Sequence, residues 1–215
     1  GIVRGEIPVQ LSTTLQQCIN YGMQLKFISR QAYSKKEEND FLTQLKNEFD
    51  ECIIIPEGGY HPSGAKGAAL IYDLIKDNSY THICTATGTA TTLAGLLLNS
   101  GDKNIISVPV LKGLNDIEER INFLLGNNFK KGKLQIFDDY NFGGYAKKTE
   151  TLTDFMNYLW QQHHLPTDFV YTAKLFYSVF DKIKNNHFEE HSNILCLHTG
   201  GLQGNSSLPA GTLLF

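Results

Sequence analysis

The run Thr85-Ala86-Thr87-Gly88-Thr89-Ala90-Thr91-Thr92-Leu93-Ala94-Gly95 is the first stretch whose residue types and spacing could do chemistry. Small residues let a backbone come close to an anion. Free N–H groups at a helix start, helped by threonine hydroxyls, can hold a phosphate without any lysine. The same run also reads as a tight strand-to-helix turn with threonine caps. It is neither G-x-x-x-x-G-K-[ST] nor G-x-G-x-x-G, so nucleoside triphosphate and dinucleotide sites lose support. His198-Thr199-Gly200-Gly201 could present a hydroxyl and bare backbone to a flat ligand, although a strand-ending turn is the plainer explanation.

Other groupings are weaker. His187-Phe188-Glu189-Glu190-His191 matches the H-x-x-E-H pattern of inverzincin proteases. No Asp or Glu follows Glu190 to supply a third ligand, and the segment has almost no apolar face. It reads as a solvated helix end rather than as a zinc hydrolase built on His187 and His191. His163 and His164 are adjacent and diverge on a helix, so they make a poor metal pair. Asp138-Asp139 read as solvated loop charges, and no metal site is expected. Cys18, Cys52, Cys84 and Cys196 show no C-x-x-C spacing and read as small buried thiols in a reducing, cytoplasmic compartment.

Such loops need strands and helices to hold them. The apolar pattern predicts strands over 1–4, 25–29, 52–55, 81–86, 105–109, 134–137 and 194–197. Helices are predicted over 11–22, 35–50, 63–76, 91–99, 115–125, 148–163 and 174–184. Strands separated by helix-length segments imply right-handed crossovers and a parallel sheet. Ligands of such sheets sit at the carboxyl ends of strands, here the loops 57–63, 87–92 and 199–204. Pro56-Glu57-Gly58-Gly59 is the expected seam between a small unit, 1–56, and a larger one, 57–215.

Composition removes several classes of function. With 41% apolar and 19% charged residues the chain is ordinary globular material. A net charge of −3 leaves no electrostatic footprint for nucleic acid or an anionic membrane. No apolar run approaches the roughly 20 residues that cross a bilayer. Neither nucleic acid nor membrane is expected as a partner.

Several short motifs occur in one order: Arg4-Gly5-Glu6, Phe27-Ile28-Ser29-Arg30, Ile55-Pro56-Glu57-Gly58-Gly59, Gly143-Gly144-Tyr145, Asp168-Phe169-Val170-Tyr171-Thr172-Ala173-Lys174 and His198-Thr199-Gly200-Gly201-Leu202. Together they resemble the pyridoxal-phosphate-dependent family of 1-aminocyclopropane-1-carboxylate deaminase and D-cysteine desulfhydrase. The resemblance implies an α/β, three-layer parallel-sheet sandwich of the tryptophan-synthase-β-like type (fold type II). It would have a small domain, 1–56, and a large cofactor-binding domain, 57–215. The implied cofactor is pyridoxal 5'-phosphate, the implied partners are a small amino-acid substrate and a second copy in a homodimer, and the implied products are a 2-oxo acid and ammonia.

Residue by residue, the resemblance makes Thr87, Gly88, Thr89, Ala90, Thr91 and Thr92 the phosphate cradle, with Gly58 and Gly59 as a turn beside the cofactor. Tyr171 becomes the active-site tyrosine, and Tyr145 a substrate contact. Thr172 takes the position facing the pyridine nitrogen, where the cyclopropane deaminases carry a glutamate, which favours D-cysteine desulfhydrase-like elimination. Thr199 is a second residue near the ring. The family's Schiff-base lysine lies ahead of the strand matched by Ile2-Val3-Arg4. The chain is therefore expected to begin after it and to be inactive alone, with Lys174 a poor substitute. The alternative is an inactive, phosphate-binding relative.

Overall fold

The computed structural model describes residues 1–50, 52–77, 79–126 and 133–215. The chain divides into two compact units, Gly1–Pro56 and Glu57–Phe215.

The first unit holds β1 (Ile2–Arg4), α1 (Thr13–Asn20), β2 (Lys26–Ile28), α2 (Arg30–Ser34) and α3 (Asn39–Phe49). β1 and β2 pair in parallel, Ile2 opposite Lys26. Serines start two of the helices. The Ser12 hydroxyl accepts from the Leu15 amide at 3.3 Å and that of Ser29 from the Ala32 amide at 3.1 Å, each satisfying a donor that the first turn leaves free. The Ser29 cap also explains a departure from expectation. It starts a short helix, α2, that was not expected directly after β2, and the helix predicted over 35–50 begins only at Asn39, after a run of turns, as α3. The strand predicted over 52–55 does not form. The segment is unpaired, with Ile53 91% and Ile55 82% exposed. Branched apolar residues favour a pleated surface, but a strand needs a neighbour for its ladder bonds.

The second unit runs α4 (Pro62–Ala69), β3 (His82–Thr87), α5 (Thr91–Leu98), β4 (Asn104–Pro109), α6 (Ile117–Leu125), β5 (Leu134–Ile136), α7 (Glu150–His163), α8 (Thr172–Lys184) and β6 (Ile194–Cys196). The helix expected over 63–76 tightens after Ala69 into a 3-10 turn, Leu70–Leu74. The four strands are parallel in the order β5-β4-β3-β6. Alternation along them feeds both faces. Ile83 and Ile105 pack with Leu93 and Leu96 of α5 and Ile117 and Ile121 of α6. Cys84, Ile106 and Val108 pack with Leu175 and Val179 of α8 on the opposite face. A sheet covered on both sides is the reason its strands read as continuous apolar runs. The architecture is a three-layer α/β sandwich.

All four cysteines are free thiols, but only Cys84 is buried. Cys18, Cys52 and Cys196 are partly exposed. The H-x-x-E-H stretch is not a helix end either. α8 stops at Lys184 and residues 187–191 form turns, so His187 and His191 share no helical face. Among the described residues no cluster of three or more His, Cys, Asp or Glu is placed to hold a metal.

Candidate active site

The site starts where β3 hands over to α5. The Thr87 hydroxyl is buried and paired with that of Ser107 at 2.8 Å, so its side chain ties β3 to β4 and is not offered to a ligand. The chain then turns through Gly88 and Thr89 to Ala90, which sits in the left-handed region at φ 70°. α5 has no side-chain cap, and among the described residues no amide from Gly88 to Thr92 donates to a protein acceptor. Orphan amides at the positive end of a helix dipole form an anion cradle. Thr89 and Thr91 line it, their hydroxyls 3.1 Å apart, and Thr89 also donates to the Gly58 carbonyl at 3.3 Å.

Two glycines set how closely the surrounding pieces approach. Gly58 has φ 63°, and a Cβ there would stand 2.5 Å from the Thr89 hydroxyl. A Cβ on Gly88 would stand 3.3 Å from the Tyr171 ring. Tyr171 therefore lies directly against the cradle. Its ring meets that of Tyr145 edge-on, centroids 6.0 Å apart. Burial, and then the neighbouring Tyr145 phenol, push the Tyr171 phenol well above its ordinary value, so it is a neutral hydroxyl at physiological pH. Tyr145 is 54% exposed and forms the open side of the pair.

Tyr171 is held by Asp168, which is fully buried. One carboxylate oxygen accepts from the Val170 and Tyr171 amides, each at 2.9 Å. The other accepts from the Thr172 amide at 2.9 Å and the Thr172 hydroxyl at 2.8 Å. A carboxylate with four donors at a helix start is a strong cap. Thr172 is consequently not free to face a ligand: it is fully buried, and its hydroxyl also accepts from the Asp168 amide at 2.8 Å. In this structure the Thr172 hydroxyl, expected to face a pyridine nitrogen, is engaged with Asp168 and locks this turn.

Gly201 packs on the same turn, where a Cβ would lie 3.0 Å from the Asp168 carboxyl carbon. Thr199 points elsewhere. It is exposed and lines a groove of about 560 Å³ with Ile71, Leu74, Ile75, Leu197 and His198. His198 accepts from the Gly200 amide on Nδ1 and donates from Nε2 to the Pro166 carbonyl, the pattern of a neutral imidazole. Gly59 is close to Thr91, whose methyl a Cβ would meet at 3.9 Å. Thr92 is partly buried in the first turn of α5. Lys174 is fully buried, with its ammonium on three backbone carbonyls, and is not presented to the cradle.

The structure thus gathers Gly58, Gly59, Gly88 to Thr92, Tyr171 and Tyr145, and sets Thr87, Thr172 and Thr199 aside. Asp168 was not singled out from sequence as a site residue. The signal for it was present, as an Asp just ahead of a helical pattern.

This is the fold of the tryptophan-synthase-β-like, fold-type II enzymes. No family model matches the chain. A crystal structure described as an ACC deaminase homologue superposes with a TM-score of 0.75 at 24% identity, over 95% of this chain and 66% of that one. A protein provisionally named 1-aminocyclopropane-1-carboxylate deaminase from Pyrococcus abyssi is 28% identical over 94% of this chain and 66% of its own length. A D-cysteine desulfhydrase from Klebsiella pneumoniae is 26% identical over 76% of this chain and 54% of its own. The chain resembles the 1-aminocyclopropane-1-carboxylate deaminase and D-cysteine desulfhydrase family in sequence as well as in fold. It spans about two thirds or less of the length of these relatives.

Proposed function

We propose that this chain is the phosphate-anchoring part of a pyridoxal-phosphate-dependent lyase or deaminase acting on a small amino acid. The observation that carries this is the uncapped start of α5, with unpaired amides from Gly88 to Thr92 and no acidic side chain in the loop. These residues fit a phosphate dianion. When bound, the cofactor would supply an electron sink for the amino-acid substrate. This chain's own residues do the rest. The Gly88 to Thr92 amides and the Thr89 and Thr91 hydroxyls bind the phosphate. The neutral Tyr171 hydroxyl holds a proton beside the cradle, and Tyr145 hands protons between it and solvent. Thr172, buried as a capping residue, no longer separates a desulfhydrase-like from a deaminase-like substrate. Both 2-oxo acid-forming reactions remain within the proposal, as do the homodimer and a cytoplasmic location.

A phosphate-binding relative without Schiff-base chemistry is the second reading, and Lys174 does not decide between the two. That amine is enclosed by carbonyls, so it is not the lysine that such chemistry needs. Phosphorus NMR of pyridoxal phosphate titrated with the full chain tests the anchoring. A shifted, broadened resonance that Gly88→Val abolishes is expected. An unchanged resonance at saturating protein sinks both readings. Borohydride reduction followed by mass spectrometry, run on a longer form of the protein that includes residues ahead of Ile2, separates them: a labelled lysine ahead of Ile2 supports the enzyme, and a longer form that binds phosphate but carries no label supports the relative.

A further inference from the structure

Lys174 is fully buried one turn into α8, yet among the described residues it forms no ion pair. Its ammonium donates instead to the carbonyls of Gly144 at 2.7 Å, Asn141 at 2.9 Å and Val110 at 3.4 Å. Three donors and three acceptors satisfy one another completely. The acceptors come from two places. Val110 directly follows β4, whereas Asn141 and Gly144 belong to the turn that delivers Tyr145. That turn has bonds of its own, the Gly144 amide donating to the Asn141 carbonyl at 3.0 Å, the Gly143 amide to Asn141 Oδ1 at 3.0 Å and the Lys147 amide to the Gly144 carbonyl at 3.2 Å, but its backbone is strained. Phe142, Gly143, Gly144 and Ala146 all have positive φ, at 51°, 92°, 115° and 51°. Left-handed residues in succession persist only where the surroundings over-determine them. Three carbonyl dipoles aimed at one buried point also repel each other unless a cation stands there, the arrangement by which carbonyl rings replace the hydration shell of potassium.

We propose that Lys174 is a positioning residue whose ammonium acts as a tethered monovalent cation. It gathers the Val110, Asn141 and Gly144 carbonyls and so holds Tyr145 against Tyr171, which the same helix start carries. Only the catalytic consequence rests on the function proposed above; the clamp itself needs no cofactor. Because a side chain fills the position, the protein needs no free potassium or ammonium to order this turn. Emptying the cage creates that need.

The test uses the full chain without cofactor, labelled with fluorotyrosine, with the Tyr145 and Tyr171 fluorine resonances assigned from single Tyr→Phe variants. Wild type, Lys174→Ala and Lys174→Met are compared in potassium, ammonium and lithium chlorides at equal ionic strength. The wild type is expected to be indifferent to the cation. In lithium, Lys174→Ala should move both resonances toward that of free fluorotyrosine and melt roughly 5 °C or more lower. Potassium or ammonium should restore both readouts in Lys174→Ala. Neither should do so in Lys174→Met, whose side chain occupies the cage. Resonances that stay in place in Lys174→Ala, or that move but ignore the cation, overturn the proposal. If Lys174→Ala does not fold in lithium, its refolding yield becomes the readout: a yield that rises with potassium supports the clamp, and a flat one overturns it. A chain that fails to bind pyridoxal phosphate leaves all of these outcomes readable.

Discussion

The two units of this chain are built from the same alternation of strand and helix, but only one covers its sheet. In Gly1–Pro56 the sheet has two strands, and Leu45 is the sole buried hydrophobic residue described. Val9, Tyr21, Ile53 and Ile55 stand in solvent. In Glu57–Phe215 four parallel strands are packed on both faces, and Leu96, Ile105, Ile106 and Val108 are wholly excluded from water. A two-stranded sheet is marginal by itself, whereas a doubly covered one supports precise side-chain placement. Alternation specifies the type of each element. The number of covered faces decides whether it can carry chemistry, and every gathered site residue lies in the covered unit.

The sharpest way to break this contrast is Asp168→Ala. It strips three amides and a hydroxyl of their buried acceptor, and each unpaired buried donor costs about 1–3 kcal/mol. A loss of about 4 kcal/mol or more is expected in urea unfolding of the full chain, together with loss of the phosphorus NMR shift. A variant with near wild-type stability would mean that the α8 start does not depend on this cap. A matched pair comes next in size. Leu96→Ala empties a fully buried site and should cost about 2–5 kcal/mol. Ile53→Ala removes the same kind of group from solvent and should stay within about 0.5 kcal/mol. Equal losses for the two would show that Ile53 is covered in solution and would erase the difference between the units.

Most of the covered unit was legible, because long apolar runs flanked by Gly and Thr mark β3, β4, α5 and their turns unambiguously. The candidate cradle at the start of α5 was legible too, since residue size and a helix start are local properties, although a plain capped turn read equally from the same residues. What sequence did not disclose is long-range pairing. Thr87 and Thr172 look as available as Thr89, and only the positions of Ser107 and Asp168 show that their hydroxyls are already committed. Residues 52–55 have the composition of a strand but lack a neighbour. Lys174 was weighed only as a poor substitute for a Schiff-base lysine, and its burial shows only once the turn at 141–144, thirty residues upstream, closes over it.

A smaller effect concerns pH and the same lysine. Burial lowers the Lys174 amine to about 8, with the Asp168 charge opposing the shift. An amine depressed in the folded state binds fewer protons there than in the unfolded chain between its folded value and its ordinary one. Its contribution to stability therefore rises with pH from about 8 to 10.5. A gain on the order of 1–2 kcal/mol across that window is expected in the wild type relative to Lys174→Met, the Asp168 charge offsetting part of the burial effect. Tyr72 works the other way. Burial raises it to about 12, so its contribution is complete below pH 10 and declines from there to 12. Urea midpoints of both proteins measured from pH 7 to 10 would check the sign, and a parallel pair of curves would contradict it.

The finest distinction lies within the covered unit, at Thr167. Its hydroxyl is the one buried side-chain nitrogen or oxygen without a partner among the described residues. It immediately precedes Asp168, in a turn that Asn205 already secures by donating to the Thr167 carbonyl at 2.9 Å and accepting from the Phe169 amide at 3.2 Å. Valine matches the shape of threonine and removes the unpaired group, and nothing in the backbone bonding of the turn depends on the hydroxyl. Burial of an unsatisfied hydroxyl costs about 1–3 kcal/mol. Thr167→Val should then be neutral or up to about 1 kcal/mol more stable, read as a melting temperature raised by roughly 2–4 °C for a chain of this size. A loss of a degree or more would mean that the hydroxyl has found a partner, such as a bound water. Higher stability together with a weaker phosphorus NMR shift would assign the hydroxyl to ligand binding, and the exception in an otherwise satisfied core would become part of the site.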